Sequence, residues 1–136
     1  MRVFAAVLLV LFATRTAPAH DSRVDELMQS LAGKENLPAG EVFKNVQLLK
    51  SIPAGTFVRI MDAGYSRALG VGCDHCHTDD WAADDKRPKR AAREMILLVN
   101  DINTKLGAMR EIDNTEPAVN CTTCHRGFVK PALQMK

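Results

Sequence analysis

Cys73-Asp74-His75-Cys76-His77 and Cys121-Thr122-Thr123-Cys124-His125 hold every cysteine of the 136-residue chain. In each copy two thiols stand three residues apart and a histidine directly follows the second. That spacing sets both thiols on one helical turn beside an imidazole, the arrangement that attaches a c-type haem. Each thiol can form a thioether to a vinyl-derived carbon of the porphyrin, and the adjoining histidine then reaches the iron as a neutral imidazole ligand. Cys73, Cys76, Cys121 and Cys124 are therefore the candidate attachment residues for two covalently bound haem c groups, with His77 and His125 as candidate iron ligands.

Three other readings use the same cysteines. Four thiols in a short exported chain make two disulfides with three possible pairings, and CxxC alone serves thiol oxidoreductases. Four thiolates also bind zinc, although these two pairs lie farther apart than compact zinc ribbons place theirs. None of the three explains a histidine after each pair. His75, between the two cysteines, is expected to face outward as a bystander, and His20 lies far upstream. No histidine is left as a clear distal ligand for either haem.

With histidines scarce, methionine is the natural sixth ligand, since its soft thioether suits haem iron and Met/His ligation raises the reduction potential. Met28 precedes Pro38 and Met135 lies in the terminal tail, so Met61, Met95 and Met109 are better placed. The apolar spacing predicts a helix from about Thr56 to Leu69 carrying Met61, broken by Gly70 and Gly72, with the Cys73–His77 turn folding back across a flat cofactor. Pro88 is tolerated in a first helical turn, and Met95, Leu98, Val99, Ile102 and Leu106 then recur at helical spacing up to Gly107. A looser stretch from Ala108 to Asn120 leads into Cys121. Spacing leaves Met95 open to two readings, a ligand to the iron held by His125 or one more residue of an apolar helix face.

Arg2 and the apolar run from Val3 to Ala13, followed by Ala17-Pro18-Ala19, form a signal-peptide pattern too short for an ordinary membrane span. Residues 1–19 are expected to be a signal peptide and 20–136 one small domain, with an uncleaved anchor as the competing reading. Removing those nineteen residues takes away Arg2 and Arg15, which is the whole of the formal +2 excess. The basic balance is thus no argument for nucleic-acid binding. The expected location is the periplasm, with membrane association as the variant.

Asp79, Asp80, Asp84 and Asp85 are followed by Lys86, Arg87, Lys89, Arg90 and Arg93. A solvated loop with charges at a helix start is the preferred reading of this sign change, ahead of a docking surface for a redox partner. Arg59, Arg67 and Arg126 are candidates for pairing with haem propionates.

Taken together, Asn45-Val46-Gln47-Leu48-Leu49, Phe57-Val58-Arg59-Ile60-Met61, Leu69-Gly70-Val71-Gly72-Cys73, Ala92-Arg93-Glu94-Met95 with Asp101-Ile102-Asn103, and Cys121 to Gly127 resemble the cytochrome c subunit family of photosynthetic reaction centres. The resemblance implies an all-α domain of two helix-turn-helix haem units with few or no strands. It also implies that Met61 ligates the first iron and Met95 the second. Full-length members carry four haems, whereas this chain has cysteines for two and resembles one half, with Met109 where a cross-half histidine ligand stands in the tetrahaem proteins. The expected function is single-electron transfer between redox protein partners, with no small-molecule substrate. A small dihaem peroxidase-like enzyme, or a haem-bearing subunit of a larger membrane-bound complex, are the alternatives.

Overall fold

The computed structural model describes residues 22–112 and 116–134. The expected signal peptide, His20 and Met135 lie outside the described residues. Helices α1 (Ser22–Ser30), α2 (Ala39–Val42), α3 (Ala54–Arg59), α4 (Arg67–Leu69), α5 (Arg87–Gly107) and α6 (Cys121–His125) account for most of the regular structure. A π-helical stretch, Ile60–Ser66, joins α3 to α4, and a 3₁₀ turn spans Cys73–His75. Extended pairing among the described residues is limited to an isolated bridge between Pro38 and Pro53, so the all-α expectation holds.

Those two prolines start helices. Pro38 and Pro53 cap α2 and α3 with φ of −54° and −57°, and neither position has an N–H to leave unsatisfied. The strands of chain around them are laced by Ala39 N–H to Ile52 O at 2.8 Å and Ala54 N–H to Leu37 O at 2.8 Å. This brings α2 and α3 side by side and starts the Met61 helix at Ala54.

The protein core is small. Val24, Leu31, Ala54 and Val58 are buried together, with Leu27, Met28, Val42 and Phe43 packed against them. Met28 is therefore a packing residue, and its distance from the ligand question is structural. Burial of these few side chains contributes about 1.5–3 kcal/mol for each large aliphatic one. Beyond this cluster the helices carry apolar surface that the described residues leave exposed, most of all on α5, which has no buried residue.

The Met61 helix is continuous, as its apolar spacing predicts, but its centre is wound as a π-helix rather than an α-helix. One wider turn shifts the facing of each residue that follows, and such turns are frequent at functional sites. Gly64 and Gly70 bracket the second half. Gly70 ends α4 in the left-handed region at φ +67° and turns the chain toward Cys73.

Candidate haem sites

The first CxxCH turn and the π-helical stretch both line a cavity of about 430 Å³. Met61, Cys73, Cys76 and His77 are all among its lining residues. Phe43, Leu48, Leu49, Phe57 and Tyr65 supply apolar walls, and Phe43 and Phe57 stack with centroids 5.6 Å apart. The volume falls within the range of pockets that enclose sizeable organic ligands. Four groups of three chemical kinds meet there: a thioether, an imidazole and two thiols at CxxC spacing. This donor set in an apolar slot fits a covalently attached haem.

His77 is held for ligation by its second nitrogen. Nδ1 lies 3.3 Å from Trp81 O, and a carbonyl only accepts, so the proton sits on Nδ1 and Nε2 keeps its lone pair. The Trp81 ring leans on the imidazole with centroids 4.9 Å apart. Burial pushes the His77 pKa below its ordinary value, with Lys89 adding to the effect, so the ring is neutral. Burial likewise raises the Cys76 and Cys121 thiols.

The segment behind Trp81 is stitched by the charges that follow it. Lys89 Nζ donates to Trp81 O at 2.8 Å and to Ala83 O at 2.6 Å. Asp84 Oδ1 lies 2.9 Å from Arg93 Nη1 and 3.4 Å from Lys89 Nζ, ion-pair contacts whose angles fall short of hydrogen bonds. Gln47 Nε2 reaches Asp84 Oδ2 at 3.4 Å, and Asn45 Nδ2 donates to Ala82 O at 2.6 Å. Lys89 is only 11% exposed. Part of the charge switch, Asp84 with Lys89 and Arg93, is therefore an inward scaffold for the His77 loop, while Asp79, Asp80, Asp85, Arg87 and Arg90 are exposed, as the solvated-loop reading expects. A signal was present: Lys89 and Arg90 sit at the start of α5, where the helix dipole disfavours cations, so nearby carbonyls and a carboxylate had to compensate.

The second site is more open. Asn120 caps α6 with a reciprocal pair, Thr123 N–H to Asn120 Oδ1 at 3.2 Å and Asn120 N–H to Thr123 Oγ1 at 3.1 Å. His125 repeats the arrangement of His77, with Nδ1 3.0 Å from Phe128 O. Cys121 is half-buried and Cys124 exposed. Met95 is 43% exposed and Leu98 49% exposed on one stripe of α5, an apolar face that the described residues leave uncovered. Asn103, at the flank of that stripe, donates Nδ2 to Val119 O at 3.0 Å and accepts from Val119 N–H at 2.7 Å. This pair ties α5 to the segment entering Cys121. Met109 lies past the end of α5 and is 55% exposed.

Other expectations resolve locally. No disulfide joins the four cysteines, and among the described residues no three His, Cys, Asp or Glu side chains gather as a metal cluster. His75 does not line the main cavity. Arg67 pairs with Asp62 at 2.9 Å.

A family model described as "Photosynthetic reaction centre cytochrome C subunit" matches residues 13–134. The chain belongs to that family. Reaction centre cytochrome subunits are electron-carrier cytochromes rather than enzymes, and a cytochrome c carries covalently bound haem c. Curated relatives agree. A photosynthetic reaction center cytochrome c subunit of Thermochromatium tepidum is 40% identical over 95 residues, covering 68% of this chain and 22% of the relative. Cytochrome c-554 of Chloroflexus aurantiacus is 34% identical over 107 residues, covering 72% and 25% respectively. The reaction center subunit of Rubrivivax gelatinosus is 34% identical over 94 residues, covering 68% and 25%. The matched region thus spans about a quarter of each relative's length.

Proposed function

We propose that the chain is a dihaem c-type cytochrome that passes single electrons between redox proteins. Cys73 and Cys76 would hold one haem, with His77 and Met61 as its axial ligands. Cys121 and Cys124 would hold the other, with His125 and Met95. The observation that carries this reading is the meeting of Met61, Cys73, Cys76 and His77 around one apolar cavity.

When bound, haem supplies an iron centre that gains and loses one electron. The chain does the rest. Trp81 O and Phe128 O fix the imidazole rings and leave both Nε2 atoms as acceptors. Met61 would offer a soft sulfur to the iron, a donor that favours the reduced metal and would raise the potential. Phe57, Leu49 and Tyr65 give the cavity apolar walls against which a porphyrin would pack. With Met61 and His77 holding one iron, and Met95 and His125 the other, neither would be left a position for a substrate, which separates this reading from a peroxidase.

The names of the relatives favour a second, compatible reading of context: the chain serves a membrane-bound photosynthetic complex on its exported side, as a periplasmic or membrane-associated component. Among the described residues no helix is long and apolar enough to cross a membrane. The test of filled coordination is spectroscopic. The oxidised holoprotein is expected to show the weak methionine-to-iron absorption and to leave cyanide and peroxide unbound, while ready binding of either contradicts the proposal. Co-purification from the source membrane identifies the redox partner.

A further inference from the structure

The end of the second haem-attachment turn is joined through backbone to the end of the Met61 helix. Gly127, two residues after His125, donates its N–H to Ala68 O at 2.7 Å. A Cβ placed on Gly70 would stand 2.2 Å from Gly127 O and 3.0 Å from its carbonyl carbon. Real side chains do not approach backbone that closely, so the contact exists only because residue 70 is glycine. Both glycines are also in the left-handed region, at φ +67° and +88°, and Arg126 before Gly127 is at φ +50°. Ala68, whose carbonyl accepts the bond, is buried.

What lies on either side gives the contact its meaning. Gly70 ends the helix that carries Met61 and is followed within three residues by Cys73. Gly127 closes α6, which holds Cys121, Cys124 and His125. Tyr65, on the π-helical stretch between Met61 and Ala68, is within electrostatic reach of both Cys76 and Cys121, so one cysteine of each attachment motif lies near the same side chain.

We infer that the Gly70–Gly127 contact is the joint that positions the second attachment turn against the Met61 helix and so sets the separation across which the two haems exchange electrons. This rests on the dihaem reading proposed above. The exchange moves one electron, oxidising one site as it reduces the other, and forms or breaks no bond in the chain. Gly70 and Gly127 are positioning residues: neither lies among the proposed ligands, and their effect is on distance and order.

The test compares wild-type holoprotein with Gly70→Ala and Gly33→Ala. Gly33 has φ +79° and nothing within 4 Å of an added Cβ, so it carries the left-handed backbone strain without the clash. Intact mass first establishes that each protein holds two haems, and a wild type lacking two refutes the dihaem reading itself. Pulsed EPR then reads the dipolar coupling between the ferric haems. The expected result is a single well-defined coupling in wild type and Gly33→Ala, and its loss or broadening in Gly70→Ala, with the methionine-to-iron absorption retained. An unchanged coupling in Gly70→Ala carrying both haems, or equal loss in Gly33→Ala, overturns the joint. If Gly70→Ala does not fold, amide exchange in wild type decides: Gly127 N–H is expected to exchange more than about tenfold slower than an unstructured amide, and free exchange refutes the inference.

Discussion

His77 and Lys89 share one acceptor, the backbone carbonyl of Trp81, which takes His77 Nδ1 at 3.3 Å and Lys89 Nζ at 2.8 Å. The ammonium draws on the same lone pairs that would otherwise strengthen the imidazole as a donor to iron, and it adds a sheltered positive charge near the site. Both effects disfavour the oxidised metal. Lys89→Met is expected to lower the potential of one haem. For scale, a unit charge about 10 Å from any redox centre at an effective dielectric of about 20 is worth roughly 1.7 kcal/mol, on the order of 50–100 mV for one electron. Spectroelectrochemical titration reads the shift, and a rise in potential contradicts the arrangement.

Asp84 gives the same loop a pH dependence. The Asn45 side chain, then Arg93 and Lys89, hold its carboxyl below the ordinary carboxylate range against the opposing effect of desolvation. A depressed folded-state pKa stabilises the fold above the unfolded value, and that contribution is lost as pH falls through the folded one. Wild type is therefore expected to melt above Asp84→Asn at neutral pH, with the gap closing on acidification below the usual Asp range. A gap that ignores pH would refute the role of the carboxylate.

Ligand assignment is separable by haem. Met61→Leu is expected to lower one potential and open that iron to cyanide, and Met95→Leu to do the same at the other haem. Met109, beyond the end of α5, is expected to be replaceable by leucine with no spectral change. If Met109→Leu abolishes the second methionine-to-iron absorption and Met95→Leu does not, the second ligand is Met109.

Asn103 holds both backbone groups of Val119. Asn103→Ala leaves a partly buried N–H and C=O to find water, at a cost of about 1–3 kcal/mol. The expected outcome is a melting temperature lower by several degrees and a reduced occupancy of the second haem, read by calorimetry and intact mass. Full occupancy with unchanged melting would show that the segment entering Cys121 is ordered by something else.

Much of this architecture is legible in residue order because local chemistry dictates it. The CxxCH spacing places its own thiols, α5 follows from apolar periodicity up to Gly107, and Gly70 marks the end of the Met61 helix. The convergence of Met61 with His77 follows from a helix, a glycine turn and a short return. Less is legible where partners are distant. The π-helical turn at Ile60–Ser66 is invisible to periodicity because Ile60, Met61 and Tyr65 suit either winding. Lys89 and Arg93 read as surface charges until the carbonyls of Trp81 and Ala83 and the Asp84 carboxylate are seen to surround them. The contact of Gly70 with Gly127 joins segments with nothing between them in sequence to announce it.

Intact mass spectrometry of the purified holoprotein tests the central claim most directly, because two covalent haems underlie every ligand and electron path proposed. The prediction is a polypeptide mass increased by two haem groups, with Cys73, Cys76, Cys121 and Cys124 all unreactive to thiol reagents. A mass with one haem or none, or four cysteines that still react, contradicts it.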